Sequence, residues 1–371
     1  MIVPCKGQRN LERQETNVPL DPAANCTVCI PTYRQSVYLA AAVASVVAQT
    51  YPVRLLVSND ASPDDTAEVI AGLQRRYAFA AVNHVENRGM YQHCQWLLRQ
   101  PRTKYIMRLD SDDLLQPAYM ATLIELLERH PAAGYAHCSV EEIDSSGRVL
   151  KVRAVARTWE FEDGATALRR QLGGFQVAAN IVLFRRDALE AGDRVDPTND
   201  LTGVEDWDRG VRLSAAGWGN VHSPLVLASY RVHDGPERPR AGRKLRELVG
   251  LHALFSGNLL RAWQSRGWDE AELRKRRVEI ALACSDVLDL AEFGPGERQA
   301  MCDELIKLAA DPSVSFVFAE NALGRLARGS LRLNHGVMQQ TKRWIKRVLY
   351  SSGDASSNTF LTALRHALGR N

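Results

Sequence analysis

Between residues 26 and 143 the pattern of apolar and polar positions switches repeatedly between two periods. CTVCI, VRLLVS, AAVNHV, KYIMRL and GYAHCSVEEID are short apolar runs that predict strands. Between them lie VYLAAAVASVVAQ, TAEVIAGLQRRY, MYQHCQWLLRQ and AYMATLIELLERH, which predict helices, the last ended by Pro131. Strand and helix in strict alternation predict an α/β, Rossmann-like domain with a mainly parallel sheet and helices on both faces. Ligands of such sheets bind at the carboxyl ends of the strands. That rule gathers IPTYR, SNDAS, ENRG and LDSDD on one rim.

Beyond residue 150 the rhythm loosens. VEEIDSSGRVLKV predicts a hairpin turning at SSG, DGATALRRQL predicts a helix, VAANIVLF is an apolar run, and a further helix starts at Glu205. LVLASYRVH predicts a last strand, followed by a Gly-, Pro- and Arg-rich boundary near Gly235–Pro236. The remainder reads as helices, among them RKLRELVGLHALFSGNLLRAW, EAELRKRRVEIALACSDVLDLA, RQAMCDELIKLAA and MQQTKRWIKRVLY. The expected organisation is an N-terminal arm (1–25), a catalytic domain (26–235), a helical C-terminal region (236–350) and a flexible tail with a short helix (351–371).

Composition narrows the class. At 45% hydrophobic and 24% charged residues the chain is that of an ordinary globular protein, and a net charge of +4 over 371 residues gives no argument for nucleic acid. Seven scattered cysteines do not suggest a disulfide framework; Cys26 and Cys29, three apart on a strand, point to opposite faces and read as core thiols. The N-terminus lacks the apolar stretch of a signal peptide, and no run of 18 apolar residues is present, so a cytoplasmic protein is expected. Within residues 336–350, Trp344 and its apolar neighbours are flanked by Lys342, Arg343, Lys346 and Arg347, which suits a helix that packs its apolar stripe on the catalytic domain or one that lies on a membrane surface.

The rim carries the chemistry. Its first turn has Pro31-Thr32-Tyr33-Arg34 where a dinucleotide-binding unit would have glycines. Thr32 and Tyr33 offer hydroxyls and an aromatic face suited to a base and ribose. Asp60, directly after a strand, can accept from either, whereas Asp64 and Asp65 suit the first turn of a helix. Asn87 and Gly89 form a turn, Gly89 at a backbone conformation that other residues resist. In RLDSDD, Asp110, Asp112 and Asp113 repel one another unless a cation joins them. A hard divalent ion held by one or two carboxylates, its shell completed by water and phosphate, would make the cluster worth having. Glu205 and Asp206 open a helix, where a carboxylate could act as general base, and His233 could lend a nitrogen to the metal.

In this order and spacing, IPTYR, SNDAS-PDDT, EN-x-GM, LDSDDLLQP, GVEDWD-x-x-x-RL and YRVH closely resemble the inverting family-2 glycosyltransferases of GT-A fold, over about residues 26–235. The resemblance implies a nucleotide-sugar site made by Pro31, Thr32, Tyr33, Asn59, Asp60, Asn87, Gly89, Arg108, Asp110 and Ser111. It implies a Mn²⁺ or Mg²⁺ site in which Asp112 is the direct ligand, with Asp110 and Asp113 close by and His233 completing it. Asp206 is implied as the base, with Glu205 near the acceptor. One departure is Asn59, where the family often has an acid, so the choice between UDP- and dTDP-sugars stays open. The implied partners are a nucleoside-diphosphate sugar and a glycan or lipid-linked acceptor at the cytoplasmic face of a membrane. Two other readings fit less well. A sugar-nucleotide nucleotidyltransferase resembles a pattern with a Gly-rich basic first loop, which IPTYRQS lacks. A non-catalytic scaffold would be expected to have lost the acids or His233.

Overall fold

The computed structural model describes residues 24–193, 201, 203–233, 241–311, 314–319, 324–325 and 328. Residues 1–23 of the arm, the Gly235–Pro236 boundary, the segment 336–350 expected to be a basic helix, and the tail lie outside these residues. The chain divides into two units, Met1–Glu237 and Arg238–Asn371.

The first unit opens with β1 (Cys26–Thr32), α1 (Ser36–Val47), β2 (Arg54–Asn59), α2 (Thr66–Gln74), β3 (Ala80–Asn83), α3 (Met90–Leu98) and β4 (Tyr105–Arg108). After β4 come the two-residue β5 (Leu114–Leu115), α4 (Tyr119–Arg129), β6 (Ala133–Ile143) and β7 (Val149–Arg153). It closes with β8 (Phe161–Glu162), α5 (Gly164–Arg170), β9 (Leu183–Arg185), α6 (Arg186–Gly192), α7 (Glu205–Ala215) and β10 (Gly219–Arg231). The sheet runs β3-β2-β1-β4-β9-β6-β10-β5, with β7 on β6 and β8 on β10. Its frame is parallel: β3 with β2, β2 with β1, β1 with β4, and β6 with β10. Helices cover both faces, as expected.

Local chemistry explains the elements. α4 buries Tyr119, Met120, Leu123, Ile124, Leu126 and Leu127 along one stripe and stops at His130, because Pro131 cannot continue it. Asp64 accepts from the Thr66 N–H (3.2 Å) and hydroxyl (2.5 Å) at the start of α2. Asp163 caps α5 through the Ala165 and Thr166 N–H groups. Cys26 packs with Val28 and Ile30 in one core cluster and Cys29 with Leu97 and Ile106 in the other, so the two thiols do face opposite ways. Six cysteines among the described residues are free.

The structure places a strand in one apolar run and divides one expected helix. VAANIVLF yields only the three-residue β9, which runs antiparallel between β4 and β6 and splits the parallel frame. In the second unit, RKLRELVGLHALFSGNLLRAW is two helices, α8 (Ala241–Ser256) and α9 (Asn258–Gln264). They break at Gly257, where a side chain would sit 2.5 Å from the Ala253 carbonyl. α10 (Glu270–Cys284), α11 (Pro295–Ala309) and the short α12 (Ser315–Phe318) follow. This unit fully buries Phe255, Trp263, Met301 and Leu305. No helix among the described residues is long and apolar enough to cross a membrane.

The first unit also buries neutral histidines. Burial lowers His93 and His222 each to about 4, and His137, whose ring lies 4.8 Å from that of His222, well below its usual value. Between pH 6.5 and 4 the unfolded chain therefore binds protons at His93 and His222 that the folded chain refuses. The stability they contribute is complete above pH 6.5 and is lost as pH falls, at about 1.4 kcal/mol per pH unit for each histidine. The thermal midpoint is expected to drop steadily from pH 6.5 to 4.5; a flat profile over that range would contradict the assignment.

Candidate active site

The ends of the parallel strands build the rim. β1 ends at Thr32, whose hydroxyl oxygen is buried without a partner among the described residues. Pro31, one residue earlier, lies beside Ser58 of β2. Tyr33 is 40% exposed with the Arg34 guanidinium over its ring. Arg34 sits at φ +56°, a left-handed conformation unusual for its type, and its N–H donates to the Ser62 hydroxyl (3.0 Å), which ties the first turn to the second.

The second turn spends its polar atoms on structure. Asn59 accepts from the Ser62 N–H and donates through Nδ2 to Asn83, both at 3.0 Å. Asp60 is buried, and its two carboxylate oxygens accept from the Arg88 N–H (2.9 Å) and the Gly89 N–H (3.0 Å). Asn87 donates to the Asp60 carbonyl (3.0 Å). Gly89 takes φ +77°, which brings its N–H to that carboxylate. Asp60, expected to contact the donor, thus also builds the turn that carries Asn87 and Gly89.

Three carboxylates that look alike in the sequence diverge at the fourth turn. Asp110 turns back to Arg108, with Oδ1 2.9 Å from Nε and Oδ2 accepting from Nη2 at 3.2 Å. Asp112 faces His233, with Oδ2 2.7 Å from Nε2. Asp113 points inward and accepts from the Arg231 N–H (2.8 Å); burial raises its carboxyl well above the usual carboxylate range, the charge of Asp110 adding to the effect. Ser111, between them, is buried. Asp112 and His233 are therefore brought together, while Asp110 is held in a different pair.

The first turn of α7 supplies the remaining acids. Asp206 lies with Oδ1 3.2 Å from Arg209 Nη1 and 3.8 Å from Arg108 Nη1. Glu205 is buried, accepts the Gly203 N–H at 2.6 Å, and has its carboxyl raised by burial, with Asp206 adding. Trp207 anchors the turn by donating to the Gln171 carbonyl (2.9 Å).

Two arginines were not singled out from the sequence. Arg209 stands three residues after Asp206 on a helix, a spacing that could have flagged it. Arg231 donates from Nε to the Asp112 carbonyl (2.8 Å) and from Nη1 to the Asp144 carbonyl (2.7 Å), and stacks on Tyr38, whose ring lies 5.5 Å from that of His233. It lies within YRVH, but its partners are main-chain carbonyls that the sequence does not mark.

Among the described residues no group of three or more His, Cys, Asp or Glu side chains converges as a metal cage. A carboxylate and an imidazole side by side nevertheless fit a hard divalent ion that takes its other ligands from water and phosphate. The arrangement can hold a cation at Asp112 and His233 and accept a proton at Asp206.

Comparison with known proteins adds the following. Residues 27–192 match the family described as glycosyl transferase family 2. The chain is 28% identical over 103 residues to the poly-β-1,6-N-acetyl-D-glucosamine synthase of Staphylococcus epidermidis, covering 28% of this chain and 25% of that one. It is 26% identical over 207 residues to protein Mb1547 of Mycobacterium bovis, covering 54% and 57%. The matches thus span from a quarter to somewhat over half of these relatives' lengths. In fold, the chain is similar to residues 1–349 of S. aureus TarS in complex with UDP-GlcNAc, with a TM-score of 0.60 at 14% identity, covering 90% of this chain and 94% of that one.

Proposed function

Residues 27–192 belong to glycosyl transferase family 2, and from that premise we propose that this GT-A glycosyltransferase moves a sugar, with inversion, from a UDP-sugar to an acceptor hydroxyl in the presence of Mn²⁺ or Mg²⁺. One observation carries the reading. The Asp112–His233 pair and Asp206 stand on the same rim, linked through Asp110 and Arg108. UDP is preferred to dTDP as the first nucleotide to test because the TarS structure was solved with UDP-GlcNAc. The name of one relative, a poly-β-1,6-N-acetyl-D-glucosamine synthase, favours a glycan as the acceptor.

The chain's residues then divide the work. Thr32 and Tyr33 receive the nucleoside, Thr32 offering a buried hydroxyl that has no other partner among the described residues. The Asp60-bound turn closes the site beside them with Asn87 and Gly89. Asp112 and His233 would hold the metal, which when bound supplies charge neutralisation to the departing diphosphate. Asp206, with Oδ1 facing two guanidinium groups, takes the proton of the acceptor hydroxyl on Oδ2. The acceptor oxygen bonds to the anomeric carbon from the side opposite the diphosphate, whose bond breaks in the same displacement. Glu205, buried and bound to the Gly203 N–H, shapes the acceptor side.

A thermal-shift screen with Mn²⁺ tests the donor class, since a ligand at a hundredfold excess over its Kd stabilises the folded state by about 2.7 kcal/mol. Uridine nucleotides are expected to raise the midpoint with Mn²⁺ and to lose most of that effect with EDTA. A response confined to nucleoside triphosphates would instead point to a nucleotidyltransferase.

A further inference from the structure

We infer that Arg108, read from the sequence as a donor contact, is a positioning residue that fixes the general base, and that Arg209 shares this task. The inference rests on the reading of Asp206 as base. Arg108 is the last residue of β4, and its side chain is 9% exposed. Its planar fork takes the Asp110 carboxylate side-on through Nε and Nη2. Its remaining terminal nitrogen, Nη1, faces Asp206 Oδ1. Arg209 Nη1 reaches the same oxygen from within α7, and its side chain is 5% exposed.

Three features follow from this arrangement. Both guanidinium contacts fall on Oδ1, which leaves Oδ2 for the proton. Arg108 joins two segments far apart in sequence, the Asp110–Asp112 turn and the start of α7, and so sets the distance between the metal-side acids and the base. Its three guanidinium nitrogens all face these two carboxylates, so removing it should disturb alignment of the base more than affinity for the nucleotide. A lysine at 108 would keep the charge and lose the fork.

The test compares Arg108→Lys and Arg209→Lys with wild type in two assays: release of UDP from UDP-GlcNAc with Mn²⁺, and UDP·Mn²⁺ affinity by calorimetry. A misalignment of about 1 Å can cost about 100-fold in rate. Both variants are expected to lose roughly 10- to 100-fold in kcat while the Kd for UDP changes by less than about twofold, and added guanidinium salt should partly restore Arg108→Ala. The positioning role is overturned if both Lys variants keep wild-type kcat, or if Arg108→Lys weakens UDP binding about tenfold with kcat intact, which would make Arg108 a donor ligand. Should one variant fail to fold, as seen by circular dichroism, the other decides, because both act on the same oxygen. Full activity in Asp206→Asn would overturn the underlying reading of the base, a result distinct from full activity in the Lys variants alone.

Discussion

Asp206→Asn is expected to reduce turnover by about 10²- to 10⁴-fold, the range a general base contributes, with nucleotide affinity unchanged. The amide has nearly the carboxylate's shape. Its oxygen can keep the position of Oδ1 before Arg209 and Arg108, so α7 should remain in place. Its NH₂ takes the position of Oδ2 and cannot accept a proton. The variant therefore separates chemistry from architecture. Initial rates of UDP release at saturating UDP-GlcNAc, together with calorimetry of UDP and Mn²⁺, measure the two separately. Near-normal rates would remove Asp206 as base. Glu205 would then be the next candidate, because the Gly203 N–H occupies only one of its oxygens, at 2.6 Å, and burial raises its carboxyl.

Asp112→Ala is expected to weaken Mn²⁺-dependent UDP binding by more than about 100-fold, since residues that only support metal ligands already cost 10- to 100-fold. The fold should survive. Arg231 holds the Asp112 main-chain carbonyl, not its side chain, and Asp113 keeps its bond from the Arg231 N–H. Circular dichroism should be unchanged while the calorimetric signal disappears. Equal UDP affinity in mutant and wild type, with and without EDTA, would remove Asp112 from the metal site. Asp113→Ala should behave in the opposite way and lower the thermal midpoint, because its carboxyl lies inside the strand-end packing.

The sequence made the parallel frame and its rim legible because apolar runs of two periods alternate cleanly up to β6, and because strand ends in such sheets share one edge. It also indicated the opposed cysteines of β1. The three-residue β9 was not legible as a strand: its pairing with β4 and β6 is set by tertiary neighbours and not by any local period. Gly257 interrupts an apolar pattern that otherwise reads as one helix, and only the approach of the Ala253 carbonyl shows why the chain turns there.

The candidate site shows the same division. Motif spacing selected Asp60, Asp110, Asp112, Asp113, Glu205, Asp206 and His233, but carboxylates two residues apart carry no sign of which way each will point. Arg108 turns Asp110 away, the Arg231 N–H draws Asp113 inward, and His233 meets Asp112 from 121 positions along the chain. The place of Asp60 in the turn depends on two N–H groups whose approach the conformation of Gly89 permits. Arg231 lies within YRVH but acts on the Asp112 and Asp144 carbonyls, atoms that every residue possesses, so the motif gives no sign of what it holds.

The most direct measurement is UDP release from UDP-GlcNAc by the full chain, followed with Mn²⁺ and with EDTA, and repeated with Asp112→Ala and Asp206→Asn. The account predicts release that requires Mn²⁺, disappears with Asp112→Ala and falls by about 10²- to 10⁴-fold with Asp206→Asn. Release that is indifferent to EDTA and to both substitutions would contradict it, as would no nucleotide release from UDP-, dTDP- or GDP-sugars under any of these conditions.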